Sequence, residues 1–264
     1  MELGAYAPKR LKMNIEIFGE GERQKSAEKL LSGESLDFDI KVLPIPTSRN
    51  GEHITGTEFR LDDFAKEVKN GEFVIGYGLT ETFKERLAKN GALCYDAASD
   101  EEFLVENAYI TAVGTLGYIL TTAKKIPADM KFGIIGYGRI GSCLTRLLLF
   151  LGASVKIFSS KKLTRIELGL CGIETPDIEM LDFKCENVSG LDFILNTAPT
   201  NLSRLFPEKR VPPDMRVIDL ASGDSFPGVF GVEYLPSLPN RMYPLSAGNA
   251  YARRALLWLR GKEK

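Results

Sequence analysis

The sequence predicts an α/β protein that combines a doubly wound parallel sheet with a second, smaller α/β domain. Three observations lead to this class. Short apolar runs alternate with helical stretches along most of the 264 residues. The glycine-rich segment Gly136–Gly141 separates an apolar run from an amphipathic stretch. A segment with few helix-breaking residues, from about Asp100 to Lys124, divides the alternation into two halves and predicts a long connecting helix.

The first half of the chain alternates apolar runs that end in glycine or proline with segments of helical spacing. Strands are predicted over Met13–Phe18, Asp37–Pro46, Phe73–Gly76 and Ala92–Cys94, and helices over Glu22–Leu31, Leu61–Val68 and Glu81–Lys89. Short strands with intervening helices predict a small parallel sheet, which we expect to be flavodoxin-like. This half is assigned to a domain over residues 1–108.

The second half repeats the alternation and is assigned to a domain over residues 109–246. Strands are predicted over Lys131–Ile135, Ser154–Phe158, Asp192–Asn196 and Arg216–Leu220, with a short one near Val232–Leu235 and a helix over Arg139–Leu151. A last helix, Ala247–Arg260, lies in the C-terminal segment 247–264. We expect this segment to pack on the first domain.

Composition excludes several classes of protein. Hydrophobic residues make up 44% and charged residues 26% of the chain, as in globular proteins with a buried core. The net charge of −1 provides no basic field for nucleic acid or a membrane surface. We expect no membrane span, because no run of about 18 apolar residues occurs, and no signal peptide. Four cysteines without a CxxC pair indicate mostly buried thiols in the cytoplasm, and no metal site is expected.

The spacing of Gly136, Gly138 and Gly141, after an apolar strand and before an amphipathic helix, is typical of a Rossmann dinucleotide-binding turn. The first glycine permits a tight turn, the second lets the pyrophosphate approach the backbone, and the third lets helix and strand pack closely. The helix N-terminus attracts the phosphates. A glycine turn without a ligand is the alternative. The cofactor contacts expected here are Gly136, Tyr137, Gly138, Arg139, Ile140 and Gly141.

The end of the next strand sets the cofactor preference. An NAD site usually has Asp or Glu there for the ribose 2′-hydroxyl, whereas Ser159–Lys162 contains hydroxyls and cations that suit a 2′-phosphate. NADP is therefore expected, with NAD as the second choice and a solvated basic turn as the alternative. The segments "LNTAP" and "VIDLAS" end two later strands at the same edge. The cofactor contacts expected from these strand ends are Ser159, Ser160, Lys161, Lys162, Thr197, Ala198, Pro199 and Ala221.

Candidate catalytic groups are few. His53, the only histidine, lies in the loop "PTSRNGEHITG", and Glu106 lies near the start of the long helix. Either can move a proton in a partly desolvated crevice; a solvated histidine and a glutamate favoured by the helix dipole are the alternatives. Strand ends from both domains should meet at one crevice. The substrate contacts expected there are Thr47, Ser48, Arg49 and Ser222, with Arg204 and Arg241 as further candidates for binding a carboxylate.

Several motifs, in a fixed order, resemble the family of dipicolinate synthase A subunits. They are "LPIPTSRNGEHI", "VENAYITAVG", "FGIIGYGRIGSCLTRLLLFLGASVKI", "LTRIELGL", "LDFILNTAP", "VIDLAS" and "LPSLPNRMYPLSAGNAYA". Together they extend from about Met13 to Leu257. The glycine-rich half is also similar to the NAD(P)-binding domain of D-2-hydroxyacid dehydrogenases.

The resemblance implies an NADP-dependent oxidoreductase that forms dipicolinate, a small dicarboxylate, from a dihydrodipicolinate-level precursor in sporulation. It also implies a partner, the flavoprotein-like B subunit, and we expect a homo-oligomer. Like that family, the chain has no histidine before the last helix, where Leu245 stands. Unlike it, the chain has Gly223–Phe226 in place of Arg-Pro-Gly-Gly. Two other functions stay open: a dehydrogenase of another small carboxylate, and a nucleotide-binding regulatory subunit without catalysis.

Overall fold

The computed structural model describes residues 13–34, 36, 38–180, 188 and 190–262. Asp37 and Cys185 lie outside these residues, as do the first twelve residues and the last two. The chain divides into two compact units. The first comprises Met1–Glu106 and Pro244–Lys264, and the second comprises Asn107–Tyr243.

The first unit contains a parallel sheet with helices between its strands. Its strands are β1 (Ile15–Ile17), β2 (Ile40–Val42), β3 (Phe73–Gly76) and β4 (Leu93–Asp96), and its helices include α1 (Glu22–Ser32), α2 (Leu61–Glu67) and α3 (Glu81–Lys89). The described strands lie in the order β1-β2-β3-β4. In the flavodoxin order the first strand lies between the second and the third; here each crossover carries the chain one strand further in the same direction.

The long helix α4 (Glu101–Thr122) begins where Asp100 caps it, because the Asp100 carboxylate accepts hydrogen bonds from the N–H groups of Glu102 and Phe103. By length and composition α4 could cross a membrane, a test that core helices of water-soluble proteins also pass. Its apolar residues contribute to the hydrophobic core of each unit. Phe103 is buried in the core of the first unit, and Ala112 and Ile119 are buried in a core of the second.

The described strands of the second unit form a parallel sheet in the order β6-β5-β7-β8-β9. The strands are β5 (Lys131–Ile135), β6 (Ser154–Phe158), β7 (Phe193–Asn196), β8 (Arg216–Asp219) and β9 (Val232–Tyr234), and the helices are α5 (Arg139–Phe150), α6 (Lys162–Leu170) and α7 (Leu238–Met242). The chain passes from β5 to β6 on one side and then to β7 on the other side of β5, so the strand order reverses at β5. The carboxyl end of β5 is therefore at the topological switch point of the sheet. Two parallel sheets with alternating helices confirm the predicted α/β class.

Beyond β6, an irregular segment takes the place of a further strand. The N–H of Ile157 donates to the carbonyl of Glu174 at 3.0 Å, and the N–H of Ser159 donates to that of Pro176 at 3.3 Å. Pro176 has no N–H with which to continue a ladder, as is usual for proline at a sheet edge. The segment therefore runs alongside β6 as far as the carboxyl end of that strand.

The last helix, α8 (Pro244–Lys262), packs on α1 in the first unit. A Cβ atom at Gly248 would lie less than 3.0 Å from the backbone oxygen of Arg23, so glycine lets the two helices touch. Further along α8, Tyr251 and Leu256 are buried in the core, and the Trp258 ring stacks on that of Phe73 with centroids 5.9 Å apart.

Candidate functional site

The glycine-rich turn connects β5 to α5 at the switch point of the second sheet. Gly136 has a φ of +89°, a left-handed conformation that favours glycine, and its N–H donates to the carbonyl of Phe158 at 2.9 Å. Gly138 is the N-cap of α5, and it brings no side-chain cap to the helix. A helix end of this kind is suited to bind an anion.

Thr197 and Gly141 hold this turn in shape. A Cβ atom at Gly141 would lie less than 3.0 Å from the carbonyl oxygen of Gly136. The Thr197 hydroxyl donates to the carbonyl of Ile135 at 2.9 Å, and it would also obstruct a Cβ atom at Gly136. Thr197 therefore positions the turn through the backbone of β5.

Open space lies in front of Gly138, because a Cβ atom built there meets no heavy atom within 4 Å. The turn borders a cavity of about 510 Å³. The residues expected to contact the cofactor that line it are Gly136, Tyr137, Gly138, Ser159, Ser160, Lys161, Thr197, Ala198 and Pro199. Others, all described by the structure, do not line it: Arg139, Ile140, Gly141, Lys162 and Ala221.

The end of β6 forms one wall of this cavity. Arg165 fixes its backbone, since one guanidinium nitrogen donates to the Ser159 carbonyl at 2.8 Å and another lies 2.9 Å from the Asp177 carboxylate. Ser159 is buried and its hydroxyl accepts from the N–H of Lys161 at 3.2 Å. Ser160 and Lys161 are exposed, and Lys161 is the N-cap of α6, a helix that the sequence pattern did not predict.

The wall that carries Glu179 and Arg204 was missed by sequence reasoning as part of the cofactor site. Ile178 is buried there beside Glu179, and both line the cavity. Arg204 donates from Nη2 to the Glu179 carboxylate at 3.0 Å. A turn begun by the Asn201 side chain, which accepts from the N–H of Ser203 at 3.0 Å, places Arg204 on this wall.

A buried polar pair joins the ends of β7 and β8. Asn196 donates from Nδ2 to the Asp219 carboxylate at 2.8 Å, and neither side chain is exposed. The N–H groups of Ala221 and Ser225 also donate to Asp219. The pair therefore shapes the loops that follow both strands. Sequence reasoning missed it, although its signal is present: each residue ends an apolar run, in "FILN" and "VID".

Ser222 lies in the loop after β8 and is exposed. The same loop is pinned by Asp224, which accepts from the N–H of Phe226 at 3.1 Å and from the hydroxyl of Tyr234 at 3.0 Å. Burial and the neighbouring Asp224 carboxylate raise the pKa of Tyr234 to about 12, so this tyrosine stays a hydrogen-bond donor at neutral pH.

The loop Thr47–His53 follows β2 in the first unit. Thr47 is buried, and its hydroxyl donates to the Pro44 carbonyl at 3.3 Å and accepts from the N–H of Tyr77 at 2.9 Å. Ser48 accepts from the N–H of Gly51, and Asn50 lies 3.3 Å from Nδ1 of the half-buried His53. Arg49 is exposed. Thr47 thus supports the loop from inside, while Arg49 extends from it.

Glu106, the other candidate acid or base, accepts a hydrogen bond from Arg253 at 2.6 Å. Both residues belong to the first unit, where this ion pair ties α4 to α8. The carboxylate is partly exposed. Of the two catalytic candidates, Glu106 therefore has a charged partner in the structure.

A larger cavity, of about 710 Å³, lies in the first unit, but charged residues that line it pair with one another. The Lys84 ammonium lies 3.2 Å from the Asp96 carboxylate, and Arg254 donates to Asp100 at 3.0 Å. The Asp100 carboxylate also accepts from the hydroxyl of Tyr95 at 2.8 Å. None of the residues expected from the sequence to form a site lines this cavity. The smaller cavity at the glycine-rich turn is therefore the candidate site.

Solved structures share this fold. The A subunit of dipicolinate synthase from Bacillus halodurans is 21% identical over 95% of this chain and 98% of that chain, with a TM-score of 0.73. The A chain of dipicolinate synthase from Bacillus subtilis is 18% identical over 96% and 98%, with a TM-score of 0.74. The chain has the fold of these dipicolinate synthase chains. The resemblance of the motifs is thus confirmed at the level of the fold.

A more distant likeness connects the fold to a dehydrogenase. The apo form of D-lactate dehydrogenase from Escherichia coli is 12% identical over 95% of this chain and 97% of that chain, with a TM-score of 0.55. No protein-family model matches the sequence, and no curated protein matches it. Likeness at these identities establishes the fold, so the function has to be argued from the site.

Proposed function

We propose that this protein is an NADP-dependent oxidoreductase that binds its cofactor at the glycine-rich turn of the second unit. The observation that carries the proposal is the open space in front of Gly138, at the border of a cavity of about 510 Å³. A pyrophosphate fits such a turn because glycine leaves the backbone accessible and the N-terminus of α5 favours negative charge. When bound, NADP supplies the acceptor for a hydride.

The preference for NADP over NAD rests on the end of β6. Ser160 and Lys161 are exposed there and line the cavity, so a hydroxyl and an ammonium group stand where an NAD site has a carboxylate. The N-terminus of α6 lies at the same point, with Lys161 as its N-cap and without a side-chain cap. Each of these features favours a 2′-phosphate over a free hydroxyl.

For the reaction, we propose the oxidation of a dihydrodipicolinate-level precursor to dipicolinate. The oxidation removes a hydride and a proton from the ring, and formation of the aromatic ring provides driving force. His53 or Glu106 receives the proton in this proposal. In the first unit, the proposed substrate contacts are Arg49, whose exposed guanidinium suits a carboxylate, and the hydroxyl group of Ser48. In the second unit, the proposed contact is the exposed hydroxyl group of Ser222. Thr47 supports Arg49 and Ser48 from inside the loop.

The proposal extends to the setting of the protein. We place it in the cytoplasm and in sporulation, as a homo-oligomer that works with a flavoprotein-like B subunit. Co-purification of the two proteins tests the partnership, and the mass of the purified protein in solution tests the oligomer.

Two alternatives each have an observation in their favour. A dehydrogenase of another small carboxylate is favoured by the loop after β8, where Asp224 is fixed by Tyr234 in place of a basic, glycine-rich loop. A regulatory subunit that binds the nucleotide without turning it over is favoured by Leu245, an exposed apolar residue at the start of α8 where many dehydrogenases have a histidine.

A two-stage experiment separates these functions. Calorimetric titration with NADP and with NAD tests the cofactor site, and absence of binding to both would refute it. Turnover of dihydrodipicolinate, followed by the absorbance of the reduced cofactor, then tests the reaction. Binding with turnover of dihydrodipicolinate supports the synthase. Binding with turnover of another small carboxylate favours the first alternative, and binding without any turnover favours the regulatory subunit.

A further inference from the structure

The lining of the cofactor cavity includes two charged residues that the proposed function does not use. Arg204 and Glu179 both line the cavity, and their side chains form an ion pair with 3.0 Å between Nη2 and Oε2. Together with Lys161 they are the charged side chains among the described lining residues. With Glu179 bound to Arg204, the cavity keeps one positive charge that is not matched within it.

A neighbouring ion pair shows how differently Arg204 is held. Arg165 makes two contacts, with the Ser159 carbonyl and with Asp177, and the Arg165 and Asp177 side chains are 22% and 31% exposed. Arg204 and Glu179 are 49% and 74% exposed. Exposed ion pairs contribute little to stability, so Arg204 can exchange its partner at small cost. Arg165 is a structural residue, and Arg204 is free to turn toward a ligand in the cavity.

The charge of the ligand determines whether Arg204 exchanges Glu179 for the ligand. A phosphate monoester carries about −1.5 to −2 charges at neutral pH, more than Lys161 alone can neutralise. A guanidinium donates two parallel hydrogen bonds to a phosphate, and two cations together match the charge. Glu179, once its partner has turned away, repels the phosphate at short range.

We propose that Arg204 is a second cation for the 2′-phosphate of NADP and that Glu179 holds Arg204 until the phosphate replaces it. The inference rests on the proposed function as a dinucleotide-binding protein and deepens it. Arg204 and Glu179 together set the ratio of the NADP and NAD affinities, Arg204 raising it and Glu179 lowering it. NAD, which has a hydroxyl in place of the phosphate, leaves the ion pair in place.

The test measures binding to the variants Arg204→Gln and Glu179→Gln by calorimetry. The ligands are NADP, NAD, adenosine 2′,5′-bisphosphate and 5′-AMP, the last two isolating the adenosine end. We expect Arg204→Gln to weaken NADP and the bisphosphate about tenfold, and to change NAD and 5′-AMP less than about twofold. Glu179→Gln should strengthen NADP and the bisphosphate about threefold and leave NAD unchanged.

Two control variants keep the result interpretable. Arg204→Lys retains the charge and should keep most of the preference for NADP, and Arg210→Gln removes an exposed arginine that does not line the cavity and should change nothing. If the wild type binds both dinucleotides and Arg204→Gln weakens them equally, or weakens neither, the role of Arg204 is wrong while the cofactor site stands. If the wild type binds neither, the proposed function itself is wrong.

Discussion

In each unit a glycine turn connects a strand to a helix, after β1 in the first unit and after β5 in the second. After β1, Gly19 and Gly21 have φ values of +82° and +123°, and after β5, Gly136 has a φ of +89°. Both helices that follow have a glycine N-cap without a side-chain cap. From the sequence the two turns are similar, because each has two glycines separated by one residue.

Their surroundings differ. A Cβ atom at Gly21, the N-cap of α1, would lie 3.4 Å from Oε1 of Gln24, whereas one at Gly138, the N-cap of α5, would meet nothing within 4 Å. In the first turn of α1, Arg23 is buried with its guanidinium 6.0 Å from the Tyr251 ring, and burial lowers its pKa to about 10. Glycine spacing therefore predicts the turn, while the space in front of the turn decides whether a ligand fits.

The largest effect on cofactor affinity is expected when a side chain fills the open space in front of Gly138. Gly138→Val should weaken NADP by about 100-fold, or about 2.8 kcal/mol, because the side chain takes the place of the pyrophosphate. The melting temperature should change little, since the φ of −86° suits valine. Calorimetry and thermal unfolding measure the two effects. Gly21→Val, at a φ of +123°, should do the opposite, lowering the melting temperature and sparing the affinity; equal NADP affinity in Gly138→Val and wild type would contradict the site.

Close backbone packing gives the next comparison. A Cβ atom at Gly141 or at Gly248 would lie less than 3.0 Å from a backbone oxygen, of Gly136 and Arg23 respectively. Both alanine variants should lose about 1–3 kcal/mol of unfolding free energy, as over-packed sites do, measured by urea denaturation. Only Gly141→Ala should also weaken NADP. Loss of binding in both variants would show that the two units do not respond independently.

A charge at the end of β6 should change the preference by a smaller amount. Ser160→Asp should weaken NADP about tenfold and favour NAD, because a carboxylate repels the 2′-phosphate and accepts from a ribose hydroxyl. Ser154→Asp places the same charge at an exposed position at the start of β6 and should have no such effect. Competition titrations with both cofactors provide the measurement. Equal wild-type affinities for NADP and NAD would refute the argument from Ser159–Lys162.

Each unit also has a tyrosine, a carboxylate and an arginine in contact, which allows a comparison by pH. In the second unit, Arg216 donates two hydrogen bonds of 2.7 Å to Glu233, and Tyr118 donates one of 2.6 Å. The hydrogen bonds from Arg216 hold the pKa of Glu233 below its usual 4.5 and outweigh the effect of burial. The ion pair between Arg216 and Glu233 therefore contributes its full stability above the usual pKa of 4.5. This contribution is lost as the pH falls through the lower pKa of the folded state.

The variant Glu233→Gln should accordingly lose about 1 kcal/mol at neutral pH, and its difference from wild type should shrink toward zero in acid. Urea denaturation at a series of pH values measures this. Asp100, paired with Arg254 and Tyr95 in the first unit, has a pKa that burial raises but that the hydrogen bonds from Arg254, Tyr95 and the N–H of Phe103 together hold below its usual value, so Asp100→Asn should show the same trend. A difference that does not depend on pH would mean that the ion pair does not stabilise the fold.

The regular elements were predictable where local signals agree. The bounds of β3, α3, β5 and β6 are those predicted, and the Thr80 side chain caps α3 by accepting from the N–H of Phe83. The strand predicted over Asp37–Pro46 is shorter as described, Ile40–Val42, because Pro44 and Pro46 cannot donate to a neighbouring strand.

Exposed apolar side chains explain two failures of prediction. Helix α6 was missed because Leu163, Ile166 and Leu170 are exposed, so its apolar residues do not mark a buried face. The cysteines were expected to be mostly buried; Cys143 is, but Cys94 is half-buried and Cys171 is exposed. Residue type alone does not reveal which face of an element is covered.

The candidate site also has a part that was predictable from the sequence and a part that was not. The glycine-rich turn and the ends of β6 and β7 follow from short motifs, because strand and helix fix the residues between them. The partners Asn196–Asp219 and Glu179–Arg204 are separated by 23 and 25 residues in the sequence. No local pattern connects residues so far apart, and their pairing depends on how the parallel strands are ordered.

The discontinuity of the first unit affects how the chain emerges from the ribosome. Residues of α8 that belong to the core of that unit include Tyr251, Ala252, Ala255, Leu256 and Leu259. The second unit, Asn107–Tyr243, is uninterrupted and is complete before α8 is made. At usual rates of synthesis, the strands of the first unit precede this helix by on the order of 10 s. The part of their apolar face that α8 covers stays uncovered for that time, so we expect the second unit to fold first.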